Sequence, residues 1–160
     1  MITMRRVFFS ILLLIVLAAP SITKAHCEIP CGIYHDELRF DLLDEHIETL
    51  TKSMNQINEL SAAGDKNYNQ LVRWITNKDD HADKYMEIVT QYFMTQRIKP
   101  EDPSDSAKYN EYLQKVSLLH QMLVYAMKCK QTTDLANTAK LTELQEAFKK
   151  LYFKEHGHTH

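Results

Sequence analysis

Leu43-Asp44-Glu45-His46-Ile47-Glu48-Thr49-Leu50-Thr51-Lys52-Ser53-Met54-Asn55-Gln56-Ile57 decides the fold of this chain. Leu43, Ile47, Leu50, Met54 and Ile57 advance by alternating steps of four and three, which puts their apolar side chains on one face of an α-helix. Ala62-Ala63-Gly64-Asp65 ends the segment, with Gly64 suited to a C-terminal cap. A second helix is predicted from about Asn67 to Thr95, on Leu71, Trp74, Ile75, Ala82, Tyr85, Val89 and Tyr92. Pro100 to Pro103 break the chain. Ser104 or Asp105 can cap a third helix that carries Tyr109, Tyr112, Val116, Leu119, Leu123 and Ala126. Gln131-Thr132-Thr133-Asp134 leads into a fourth, with Leu141, Leu144, Phe148 and Leu151 on its face. Amphipathic helices with short connections imply an all-α four-helix bundle, antiparallel between most neighbours, over residues 35–155. Only three glycines and four prolines argue against a loop-rich or all-β domain.

The helices themselves suggest no active site. Tyr85, Tyr92, Tyr109 and Tyr112 sit at helical spacing on apolar faces, where tyrosine fills space and sends its hydroxyl to a rim. Lys78-Asp79-Asp80 and Lys149-Lys150 read as solvated faces. His46, His81 and His120 are isolated on separate helices, with no partner at metal-ligand spacing. Cys129, near the end of the third helix, reads as a buried structural thiol. His156, His158 and His160 alternate in a C-terminal tail, residues 156–160, that can gather metal but reads first as a solvated end.

Residues 1–25 have the three parts of a cleavable export signal. Arg5 and Arg6 give a basic start, Val7 to Ala19 an apolar run, and Thr23-Lys24-Ala25 small residues at the positions that a signal peptidase reads. The apolar run is shorter than the roughly 20 residues that span a bilayer. Cleavage after Ala25 would export the chain to a periplasm or the outside and leave His26 as its first residue. It would also remove three cations, taking the formal charge from −2 to −5. An acidic chain without a basic cluster excludes most nucleic-acid binders. Three cysteines in an exported protein is an odd count, so at least one is unpaired or bound to something else.

His26-Cys27-Glu28-Ile29-Pro30-Cys31-Gly32-Ile33-Tyr34 follows the leader directly. With His26 at the N-terminus, its α-amine and the Cys27 amide nitrogen form one five-membered chelate ring, and that amide and the Cys27 sulfur form another. Cys31 closes a larger ring, with Pro30 and Gly32 suited to bending the chain. Two nitrogens and two sulfurs in a plane favour a square-planar ion; thiolates tend to reduce Cu(II), zinc prefers a tetrahedron, and Ni(II) fits best. The His26 imidazole can add an axial bond that stabilises Ni(III). A site holding both oxidation states can take an electron from a substrate and return it.

His-Cys-x-x-Pro-Cys-Gly-x-Tyr ahead of a helical bundle resembles nickel superoxide dismutase. Asn69-Gln-Leu-Val-Arg-Trp74 and Gln91-Tyr-Phe-Met-Thr-Gln-Arg-Ile-Lys-Pro100 resemble further segments of that family. The resemblance implies one nickel ion per subunit, held by the amine and imidazole of His26, the amide and sulfur of Cys27 and the sulfur of Cys31. It implies Tyr34 over the open face, ordering water and admitting small anions. The reaction would disproportionate superoxide to dioxygen and hydrogen peroxide. The family's axial imidazole is held by a carboxylate on the first helix; Asp41 is the candidate here, with Asp44 and Glu45 as rivals. A homohexamer is implied as well. Many relatives carry a short, non-secretory leader, and here this chain departs from them.

The competing reading is an exported helical binding module with a Cys27–Cys31 disulfide and no catalysis, a pairing that oxidising compartments favour. The position of His26 directly behind the cleavage site counts against it, since a disulfide has no use for an N-terminal histidine.

Overall fold

The computed structural model describes residues 36–64 and 67–155; the leader, the segment 26–34 and the tail 156–160 lie outside the described residues. Four helices follow in order: α1 (Asp36–Ala62), α2 (Tyr68–Glu87), α3 (Ser106–Gln131) and α4 (Ala136–Glu155). Between α2 and α3, without a break in helical path, Ile88–Arg97 winds as a π-helix. No strand occurs among the described residues.

Side-chain pairs fix the register. Asp36 meets Tyr92, His46 meets His81, and Ser53 meets Asn77, so α1 and the α2–π unit run antiparallel. Asp36 also meets Tyr152, Asp44 meets Gln145, and Asn58 meets the carbonyl of Thr133, so α4 runs antiparallel to α1 on its other side. Contacts of α2 with α3 and of α3 with α4 complete the predicted bundle.

The ends of the helices follow local chemistry. Gly64 closes α1 with φ of 60°, a left-handed conformation that glycine takes without a Cβ penalty. Asp105 caps α3, its carboxylate accepting the Lys108 amide at 3.2 Å. Asp134 does the same for α4, accepting from the Ala136 amide at 2.9 Å.

The core takes Phe40, Leu43, Leu50 and Met54 from α1, Ala82 and Tyr85 from α2, Val89 and Phe93 from the π-helix, Leu119 and Met122 from α3, and Leu141, Phe148 and Tyr152 from α4. Leu119, Ala126, Leu141, Leu144 and Phe148 are buried as expected, but one position on each of α3 and α4 shifts by a residue. Met122 is buried where Leu123 was expected, and Tyr152 where Leu151 was, with Leu123 and Leu151 half-buried beside them. Ile75 is exposed, unlike its expectation as a core residue. Cys129 is buried as expected, and burial raises its thiol pKa to about 11, so it is inert near neutral pH.

Lys78 corrects the reading of its charged run as solvated. Its side chain is buried, and Nζ donates to the carbonyls of Cys129 at 2.8 Å and Lys130 at 2.5 Å and to Asp79 Oδ1 at 2.8 Å. Those carbonyls belong to the last turn of α3, which has no further helical amides to bind. One ammonium therefore pins the end of α3 to the middle of α2.

Candidate metal centre

The predicted metal ligands His26, Cys27 and Cys31, and Tyr34 with them, lie outside the described residues. The described part begins with Asp36, two residues after Tyr34, a separation of about 7 Å at full extension. Whatever holds Asp36 therefore bears on the segment before it.

Asp36 is held from three sides. Its Oδ1 accepts a hydrogen bond from the Tyr92 hydroxyl and lies 3.0 Å from Arg97 Nε. Its Oδ2 accepts from the Tyr152 hydroxyl at 2.7 Å. Arg97 Nη2 donates to the Tyr92 oxygen at 2.6 Å, which closes the network. The Arg97 Nε–H is not aimed along its short contact, so Arg97 meets the carboxylate as an ion pair and the tyrosine as a hydrogen bond. The Arg39 and Arg97 guanidiniums lie 4.9 Å and 4.7 Å from the centre of the Tyr92 ring, within cation–π range.

The π-helix builds this arrangement. Tyr92 and Arg97 are five residues apart; on an α-helix they would be about 140° apart, since each residue turns 100°. The wider turn, closed by i to i+5 bonds, brings positions five apart onto one face. Thr95 and Gln96 repeat the spacing, donating to the carbonyls of Thr90 and Gln91 at 2.7 Å and 2.9 Å.

Beneath the network lies a cluster of rings. Phe40 and Phe93 are 4.8 Å apart between centroids, Phe93 meets Phe148 at 5.1 Å nearly at right angles, and Tyr152 packs on both Phe40 and Phe93. This apolar floor keeps water from the inner side of the carboxylate. Burial and the Asp36 hydrogen bond raise the pKa values of both Tyr92 and Tyr152, so both remain proton donors at neutral pH. Burial alone would lower Arg97, but its bond to Tyr92 and the charge of Asp36 outweigh that and raise it.

A cleft of about 360 Å³ opens beside the network, lined by Asp36, Arg97, Lys108, Glu111, Lys115 and Tyr152 among others. Lys115 is almost fully buried, with Nζ 3.0 Å from Glu111 Oε1.

The candidate carboxylates for His26 occupy different settings. Asp41 and Glu45 are exposed, whereas Asp44 is half-buried and accepts a hydrogen bond from Gln145 Nε2. None of them joins the Asp36 network. Among the described residues, no group of three or more His, Cys, Asp or Glu side chains can hold a metal ion. No described helix is long and apolar enough to cross a membrane.

The sequence reading missed Asp36, Arg97 and Tyr152 as a unit. Tyr92 was read as core, which its ring is, while its hydroxyl serves the network. A signal existed in part, an acidic residue directly behind the segment 26–34, but its partners depend on the π-turn.

The family model for nickel-containing superoxide dismutase matches residues 21–156, which takes in the segment 26–34 and all four helices. The chain belongs to that family. It is accordingly a superoxide dismutase with a nickel cofactor and superoxide as substrate. Neither a curated protein nor a solved structure matches the chain.

Proposed function

We propose that this nickel superoxide dismutase works at its own processed N-terminus. Cleavage after Ala25 exposes the His26 amine; that amine and the imidazole, the Cys27 amide and sulfur, and the Cys31 sulfur hold the ion. These donors suit the ion: anionic amide and thiolate ligands with an imidazole nitrogen favour a nickel ion that changes oxidation state. A nickel ion held there would supply one-electron chemistry, through which one superoxide would be oxidised to dioxygen while a second, with two protons, would be reduced to hydrogen peroxide. Tyr34 stands at the open face, orders water for proton delivery and restricts entry to small anions. A carboxylate of α1, Asp41 in the first place, fixes the His26 ring.

The observation that carries the reading is the family match across a segment with this donor set. Residues 1–25 are then the leader, 26–34 the metal-binding hook, 35–155 the bundle and 156–160 a tail. The family resemblance supports one nickel per subunit and a homohexamer.

Electron paramagnetic resonance of the nickel-loaded chain beginning at His26 tests the proposal. A rhombic Ni(III) signal split by one axial nitrogen is expected. Its absence from protein with a verified His26 terminus would overturn the reading and favour the Cys27–Cys31 disulfide.

A further inference from the structure

His46 on α1 and His81 on α2, read from sequence as isolated, meet across the seam between the two helices. Their Nδ1 atoms are 3.0 Å apart, and the rings sit edge to face with centroids 5.0 Å apart and planes at 77°. His46 is buried and His81 half-buried. A hydrogen bond between two imidazole nitrogens needs one N–H and one lone pair. The contact therefore holds a single shared proton. One ring can be fully protonated without breaking this bond, but full protonation of both would set two N–H groups and two positive charges against each other at 3.0 Å.

The surroundings do little to relieve that conflict. Lys84 on α2 adds positive charge near both rings; Glu45 on α1 opposes it at both, and Asp80 on α2 at His81 only. On the α3 side, Lys130 and Asp83 are engaged with each other at 2.7 Å. On the α4 side, Asp44 is engaged by the uncharged Gln145. No carboxylate bonds to either ring in place of the other ring among the described residues.

We propose that His46 and His81 form an acid-sensitive latch between α1 and α2, closed while one of the two facing nitrogens keeps its lone pair and opened when both rings are fully protonated. Burial comes first among the effects that hold both rings below the ordinary histidine pKa of 6.5, and the charge of His81 adds to it at His46. With folded values below the unfolded one, the unfolded chain binds more protons in this range. The latch's stability is thus complete above pH 6.5 and is lost as pH falls through the lowered values of the folded protein. His46 lies ten residues, about 15 Å of helix, from Asp36, so opening the latch loosens the helix that carries the Asp36 network. The inference does not depend on where nickel binds.

Thermal unfolding of the full mature protein from pH 8 to pH 5, beside His81→Asn, tests it. The asparagine amide stands near the place of Nδ1 and offers both a donor and an acceptor, so it can bond to His46 in either protonation state. The wild type is expected to lose about 3–6 °C more than the variant between pH 7 and pH 5. Parallel pH profiles would overturn the latch. Should the variant fail to fold, nitrogen-15 resonance of histidine-labelled wild type decides instead. One ring carrying its proton on Nδ1, the other on Nε2, with full protonation of both rings displaced to low pH, supports the latch. Two rings that titrate independently near pH 6.5 sink it.

Discussion

Asp36, the first described residue of α1, is bound by side chains from two other elements. Tyr92, Arg97 and Tyr152 converge on its two oxygens, from the π-helix and α4, and each bond is charge-assisted. Asp36→Asn keeps the shape but removes the charge that Arg97 pairs with, leaving a partly buried guanidinium uncompensated. The expected cost is about 1–3 kcal/mol, read as a lower denaturant midpoint with an unchanged slope. At the proposed hook the expected effects are of another kind, because the residues there are the proposed ligands. Cys27→Ser or Cys31→Ser should remove nickel and essentially all dismutase activity; full activity in either variant would rule out redox chemistry at this site. Tyr34→Phe should leave nickel bound and alter only turnover or inhibition by azide. The proposed donor set is a reading of the sequence alone, which can offer it because chelation depends on neighbours along the chain. The Asp36 network was not legible there, because it joins residues 56 and 116 positions apart.

Among the elements, the helices were legible and their exact faces less so. Steps of three and four fix a helix and its apolar side, and the capping residues Gly64, Asp105 and Asp134 mark ends by their own chemistry. Apolar patterning cannot say that a helix changes its winding over Ile88–Arg97, since the π-turn is stabilised by what Tyr92 and Arg97 reach in space. Nor does it anticipate a buried lysine. Lys78 lies four residues before Ala82 and seven before Tyr85, squarely on the core face, yet its neighbours Asp79 and Asp80 suggested water. Lys78→Met should keep the packing of the stem but strand the carbonyls of Cys129 and Lys130. A loss of about 1–3 kcal/mol is expected, with faster hydrogen exchange in the last turn of α3 and not elsewhere in the bundle. Uniformly faster exchange would mean that Lys78 serves general packing rather than that helix end.

For the whole molecule, fold and proposed catalysis occupy separate stretches of chain. The core draws on residues from Phe40 to Tyr152, all of them behind the hook in sequence. The proposed ligands instead include an amine that exists only after processing. Adding one alanine ahead of His26 separates these two dependencies without touching any side chain. The α-amine moves one residue away, the first five-membered chelate ring becomes unavailable to it, and His26 retains only an amide nitrogen at that position. Helical circular dichroism and the unfolding midpoint of the metal-free protein should match those of the parent, the latter within about 2 °C, because single changes remote from packed groups stay within about 0.5 kcal/mol. Nickel retention against a chelator and dismutase activity should both collapse. An extended chain that keeps nickel and turnover would show that the terminal amine is not a ligand and that cleavage at Ala25 has no part in making the site. Loss of fold together with activity would show instead that the segment ahead of Asp36 is part of what holds α1 in the bundle.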